Sequence, residues 1–192
     1  MTESDVRRTV ERVASILDTL GIRFHLTGGV AASFYGEPRT TRDADFVVQL
    51  GPEDRGALVQ ALSSAFLVNE ASVREAIDRG AMFQALDQET MVKADFHAGE
   101  LIRGELERSV RRELFEGVVV PLVSKEDAIL SKLVWIREGS DRSRTDVLGM
   151  LLDSMPFDLD FVRARAEELG CGVILGELQQ DARNVQDPGR ES

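Results

Sequence analysis

The chain has 192 residues, 23 of them Lys or Arg and 34 Asp or Glu, for a net charge of −11. That balance disfavours non-specific binding of nucleic acid, which needs Lys and Arg against phosphate. A single cysteine, Cys171, excludes an intrachain disulfide and any cysteine-based zinc cluster, and no apolar run reaches the ~20 residues of a membrane span.

Asp5 to Leu20 predicts an amphipathic helix, because Val6, Val10, Val13, Ile16, Leu17 and Leu20 recur with helical period and Gly21 stops it. Phe24 to Leu26 predicts a buried strand. Gly28-Gly29 ends it and lets the backbone approach a ligand closely. Val30 to Tyr35 predicts a short helix whose N-terminal N–H groups face the glycines, an arrangement suited to an anion. Taken alone, the double glycine is weak evidence, and an ordinary turn is the competing reading. After Glu37-Pro38-Arg39-Thr40-Thr41-Arg42 comes Asp43-Ala44-Asp45 at the head of a second apolar strand, Phe46-Val47-Val48. Residues two apart on a strand share a face, so Asp43 and Asp45 repel each other unless a cation lies between them. Hard oxygen ligands of this kind suit Mg²⁺ or Mn²⁺. The competing reading is a solvated acidic strand start.

Pro52 to Ala65 predicts a helix, Phe66 to Val68 a short extended piece and Glu70 to Arg79 another helix. Ala81 to Leu86 and Thr90 to His97 predict a hairpin. In its second arm Val92, Ala94 and Phe96 share one face, and Lys93, Asp95 and His97 the other. Leu101 to Arg112 reads as a surface helix or irregular segment. Its arginines (Arg103, Arg108, Arg111, Arg112), like Arg137, Arg142 and Arg144 further on, suit either a solvated face or a local basic groove. Val118 to Val120 is a strand candidate. Ser124-Lys125-Glu126-Asp127 carries a capping pattern and opens a helix with Ile129, Leu130, Leu133, Val134 and Ile136. Helices over Arg142–Leu152 and Asp158–Leu169 follow, and from about Asp181 the loss of apolar residues predicts a disordered tail over 181–192.

The string Gly28-Gly29, short helix, Asp43-x-Asp45 resembles the core motif of the DNA polymerase β-like nucleotidyltransferase superfamily. With Arg39-Thr40-Thr41-Arg42 before the carboxylates, it is most similar to the AbiEii/AbiGii-toxin-like branch of small bacterial nucleotidyltransferases. Ser124-x-Glu126-Asp127-x-Ile129-Leu130-x-Lys132-Leu133-x-Trp135, then Arg142-x-x-x-Asp146, resembles the C-terminal helical motif of that branch. Thr145 and Gly149 depart from it, standing where relatives often have a lysine and a second aspartate.

The resemblance implies an α/β (α+β) fold with a mixed sheet of about four or five strands flanked by helices. It also implies a nucleotidyltransferase core over 1–122 and a helical part over 123–180 packed on it. Asp43, Asp45 and a third carboxylate, Asp95, would hold Mg²⁺ or Mn²⁺ and be catalytic. Gly28, Gly29, Ser33, Arg39, Arg42 and Lys132 would bind the NTP, with Arg142 and Asp146 tying the helices together. The implied activity moves an NMP from NTP to a hydroxyl on RNA, protein or a small molecule, within a toxin–antitoxin or phage-defence system with a cognate partner protein. The altered Thr145 and Gly149 keep open a nucleotide-binding regulator without turnover. A short Asp-x-Asp glycosyltransferase is the other alternative, although the chain is short for two substrate domains. The sequence lacks a basic, apolar N-terminal leader, so a cytoplasmic protein is the expectation.

Overall fold

In the computed structural model residues 2–187 are described, and they form two compact units. One comprises residues up to Val30 together with Thr40–Val123, and the other Ala31–Arg39 together with the residues from Ser124 onward.

The first unit is built on a seven-stranded mixed sheet. Its strands are β1 (Phe24–Thr27), β2 (Asp43–Val48), β3 (Phe66–Val68), β4 (Met82–Asp87), β5 (Lys93–Ala98), β6 (Val110–Phe115) and β7 (Val118–Leu122), in spatial order β3-β4-β5-β2-β1-β7-β6. β2 pairs parallel with β5 and β1 parallel with β7, while the other neighbours are antiparallel. Alternation along the strands gives one face to a row of aromatic rings. Phe24, Phe46, Phe96 and Phe83 follow one another across four strands, with centroids 6.3, 5.5 and 4.7 Å apart. All four are buried, so each adds a large apolar area to this core. Helix α1 (Glu3–Thr19) buries Val6, Val10, Val13, Ala14 and Leu17, the stripe its sequence spacing requires, and packs on β2; α2 (Gly28–Tyr35), α3 (Arg55–Leu62) and α4 (Glu70–Arg79) follow it along the chain.

Two strands exceed the expected number. β3 is the short extended piece. β6 was hidden because its sequence, Val-Arg-Arg-Glu-Leu-Phe, lies on a sheet edge and leaves Arg111, Arg112 and Glu113 exposed. An edge strand buries too little to show apolar alternation. Residues 101–109, in contrast, are irregular.

In the second unit, α5 (Lys125–Arg137) is buried nearly all round, which is why its apolar residues mark no single face. Ser124 caps it, accepting the Asp127 N–H at 3.1 Å. Around it lie α6 (Asp141–Leu152), α7 (Leu159–Glu168) and α8 (Gly172–Gln186). The tail expected from Asp181 is therefore corrected in part. α8 continues through Gln186 because Leu175, Leu178 and Ala182 form a buried stripe along it; residues 188–192 lie outside the described residues. Among the described residues no helix is long and apolar enough to cross a membrane.

Phe96→Ala should lower stability by about 3–5 kcal/mol, the usual cost of a buried Phe-sized cavity. Leu67→Ala, on an exposed edge position, should stay within about 0.5 kcal/mol of the parent. Urea denaturation followed by circular dichroism measures both.

Candidate active site

The parallel pairing of β2 with β5 sets Asp45 opposite Asp95 and Asp43 opposite Lys93. Ala44, Phe46, Ala94 and Phe96 turn into the aromatic core. Asp43, Asp45 and Asp95 therefore stand together on the other face, at the start of two neighbouring strands. Their environments differ. Asp43 accepts the Thr41 hydroxyl at 2.8 Å. Asp45 accepts the Gly29 N–H at 3.2 Å. One oxygen of Asp95, Oδ1, is buried with no hydrogen-bond partner among the described residues. Burial pushes the Asp95 carboxyl above the usual range, the negative charge of Asp43 pushes the same way, and a hydrogen bond from Gln84 and the charge of Lys93 oppose.

A buried, unpartnered carboxylate oxygen beside a second carboxylate suits a cation: the donor set is all oxygen, hard and negatively charged. The set is not preassembled. Among the described residues no three His, Cys, Asp or Glu side chains are arranged to hold a metal ion, and Asp45 is turned to Gly29.

The double glycine has a second use that sequence did not reveal. Helix α2 (Gly28–Tyr35) opens on Gly28 with φ of 62°, and a Cβ there would overlap the Asp45 carboxylate. Gly28 thus leaves room for Asp45, and Gly29 binds it. The signal lay in the antiparallel register that faces Thr27 with Asp45, which spacing along the chain does not give. Sequence reading also missed Glu105. This buried carboxylate ties down its own loop through the N–H groups of Leu101 and Ile102, with Oε2 3.4 Å from Nε2 of the buried His25.

The second unit gathers Ser33, Arg39, Lys132 and Asp146. Arg39 grips Asp146 with two hydrogen bonds, at 2.8 and 3.0 Å, and the Lys132 ammonium lies 2.8 Å from Oδ2 of the same carboxylate. Burial works against the charge of Asp146, but the bonds to Arg39 and Lys132 prevail and hold its carboxyl below the usual range. Two cations share one carboxylate, so the cluster keeps a net positive charge. Ser33 donates its hydroxyl to the Arg39 carbonyl at 3.1 Å and so shapes the approach to the arginine. The helix tie expected from Arg142 is made differently: Arg142 is exposed, and Asp146 is held by Arg39 and Lys132. Arg42 is exposed as well. Gly149 lies against the backbone of Gly36 and Glu37, where a Cβ would come within 3.2 Å of the Glu37 nitrogen. An aspartate there would force that contact open.

Two stability measurements test these environments. Asp95→Asn, without divalent cations, should raise Tm at pH 7 by about 2–4 °C, the equivalent of roughly 1 kcal/mol in a chain of this size. Its sign follows from linkage. A carboxyl raised in the folded state loses stability as pH climbs from the unfolded value through the folded one, so the gain should vanish below the ordinary carboxylate range. Asp146→Asn should cost about 2–3 kcal/mol at pH 7 by taking the charged acceptor from the partly buried Arg39 and Lys132. Asp146 is lowered, so its contribution is present above the ordinary carboxylate range. The gap between parent and variant should narrow as pH falls through the folded value.

Residues 13–148 match the family model described as nucleotidyl transferase AbiEii toxin, type IV toxin–antitoxin system. No curated protein matches the sequence. An antigenic nucleotidyltransferase-like protein from Paracoccidioides brasiliensis is similar in structure, with a TM-score of 0.66 at 16% identity over 97% of this chain and 93% of that one. The antibiotic-resistance factor ANT(2'')-Ia has a TM-score of 0.51 at 15% identity, over 98% and 94%. At these identities the likeness is one of fold. The family match spans most of the chain and includes Gly28-Gly29, Asp43, Asp45, Asp95, Lys132 and Asp146: this chain is a nucleotidyltransferase and belongs to the AbiEii toxin family.

Proposed function

We propose that the chain transfers an NMP from an NTP to a hydroxyl acceptor, and that Asp43, Asp45 and Asp95 hold the divalent cations, Mg²⁺ or Mn²⁺, on which the transfer depends. The observation that carries this reading is the buried, unpartnered Oδ1 of Asp95 in register with Asp45. A bound cation supplies charge neutralisation at the triphosphate and lowers the cost of forming the attacking alkoxide. The chain's own residues do the positioning. Asp43 and Asp45 present ligand oxygens from a strand backed by a rigid aromatic core. Asp95 offers an oxygen whose isolation ends when a cation is bound. Gly28 keeps the Asp45 carboxylate from clashing with the backbone, and the Gly29 N–H, held by Asp45, becomes a donor to phosphate when Asp45 turns to the cation. The resemblance to the family assigns Arg39, Arg42 and Lys132 to the triphosphate; within the second unit Asp146 orders Arg39 and Lys132, and Ser33 sets the Arg39 backbone. Catalysis of this kind is positioning and electrostatics.

The family is a toxin family, so we assign the chain the toxin role, with a cognate antitoxin as its partner. The acceptor carries a hydroxyl on RNA, protein or a small molecule.

The test is transfer of label from each α-labelled NTP, with Mg²⁺ or Mn²⁺, into RNA, protein and small-molecule fractions of a bacterial extract. The intact chain should label one fraction. Asp45→Asn should reduce the signal about 100-fold or more, the scale of losing one well-placed electrostatic group. Full activity in Asp45→Asn, or NTP binding with no label in any fraction, would contradict the proposal.

A further inference from the structure

Within the second unit, away from the Arg39–Asp146–Lys132 cluster in sequence, lies a cavity of about 430 Å³. Its size falls within the range of small-molecule sites, about 300–1,000 Å³. It is an open groove, lined by the end of α6, the turn after it, the start of α7 and one face of α8. Leu151, Pro156, Phe157, Leu159 and Ala182 give it an apolar wall.

The turn that forms its floor is fixed from beneath. Lys125 is almost wholly buried; its ammonium donates to the Asp153 carboxylate at 3.0 Å and the Met155 carbonyl at 2.7 Å, and sits 5.1 Å from the centre of the Phe157 ring. Asp153 also accepts the Met155 N–H at 2.8 Å. The groove is thus preformed, and among the described residues its one lining carboxylate, Asp153, is already paired with Lys125.

What remains at the cavity is positive. Arg163 and Arg183 both line it. Arg163 reaches Asp160 at 3.3 Å, a carboxylate 93% exposed and therefore screened by water. Arg183 donates to the neutral amide oxygen of Gln180 at 2.8 Å. Gln179, also in the lining, has an amide nitrogen shielded from solvent without an acceptor among the described residues. An N–H left in that state is costly, and rotation of the amide toward the cavity would offer it to a ligand oxygen. In a chain of net charge −11, an apolar groove whose lining among the described residues carries two arginines, one only in a solvent-screened ion pair and the other on a neutral amide, selects for an anion with an apolar body.

We propose that this cavity binds a small amphipathic carboxylate, its apolar part against Leu151, Phe157, Leu159 and Ala182 and its carboxylate held by Arg163 and Arg183. The planar guanidinium fork suits a carboxylate better than a point charge does. The site stands independently of nucleotidyl transfer.

The experiment titrates the full chain with 4-phenylbutyrate, and with 4-phenylbutanol as the uncharged analogue, by thermal shift and by ¹⁵N-resolved NMR. The carboxylate should raise Tm saturably and shift amides at 151–163 and 179–183, and the alcohol should bind at least about tenfold more weakly, the loss expected with the charge-assisted hydrogen bonds. The surface double variant Arg163→Ala/Arg183→Ala should weaken the carboxylate by a similar factor while leaving the alcohol unchanged. Ala182→Phe, which fills the cavity, should abolish both. No saturable binding, equal binding of carboxylate and alcohol, or carboxylate binding unaffected by the double variant would overturn the proposal.

Discussion

The central constraint is the crowding of carboxylates forced by the parallel register of β2 and β5. Facing Asp45 with Asp95 places negative charge beside negative charge where one oxygen has lost its water and gained no donor. Burial and the charge of Asp43 both disfavour ionisation of Asp95, a local instability that a cation, on the function proposed above, would relieve. The aromatic row on the opposite face maintains it. Phe46 and Phe96, packed in the interior between Phe24 and Phe83, fix the two strands so that the carboxylates cannot drift apart. Stability concentrated on one face thus sustains strain on the other, a common arrangement where binding is the function.

In the second unit the electrostatics have the opposite sense. Asp146 is buried but shared by two cations, and it stays ionised. Its work is to hold Arg39 and Lys132 in defined positions while leaving a surplus of positive charge. A lysine and an arginine on one carboxylate are better ordered than either would be alone in water, which lowers the entropic cost of engaging an anion.

Local chemistry made much of this legible in sequence. Strand β1, the glycines, the acid pair and the apolar start of β2 follow from period and residue type, and so do α1, the β4–β5 hairpin and the cap at Ser124. Lys132 and Asp146 came from the resemblance of the C-terminal motif. What escaped was non-local. β6 gains its place by pairing with β7 at an edge, without an apolar pattern of its own. The extent of α8 is decided by burial of Leu175, Leu178 and Ala182, a spacing too sparse to stand out among polar residues. The partner of Asp146 is another case. Arg142 lies one turn away on the same helix, yet Arg39, distant in sequence, makes the bidentate contact. The second role of Gly28 likewise depends on the strand pairing that brings Asp45 to it.

Asp43, Asp45 and Asp95 are proposed to form one cation site. Electron paramagnetic resonance of Mn²⁺ titrated into the full chain tests it without reference to turnover. Saturable loss of the free Mn²⁺ signal is expected with the parent, with competition by Mg²⁺ and marked weakening in both Asp45→Asn and Asp95→Asn. Mn²⁺ binding unchanged in either variant would contradict it.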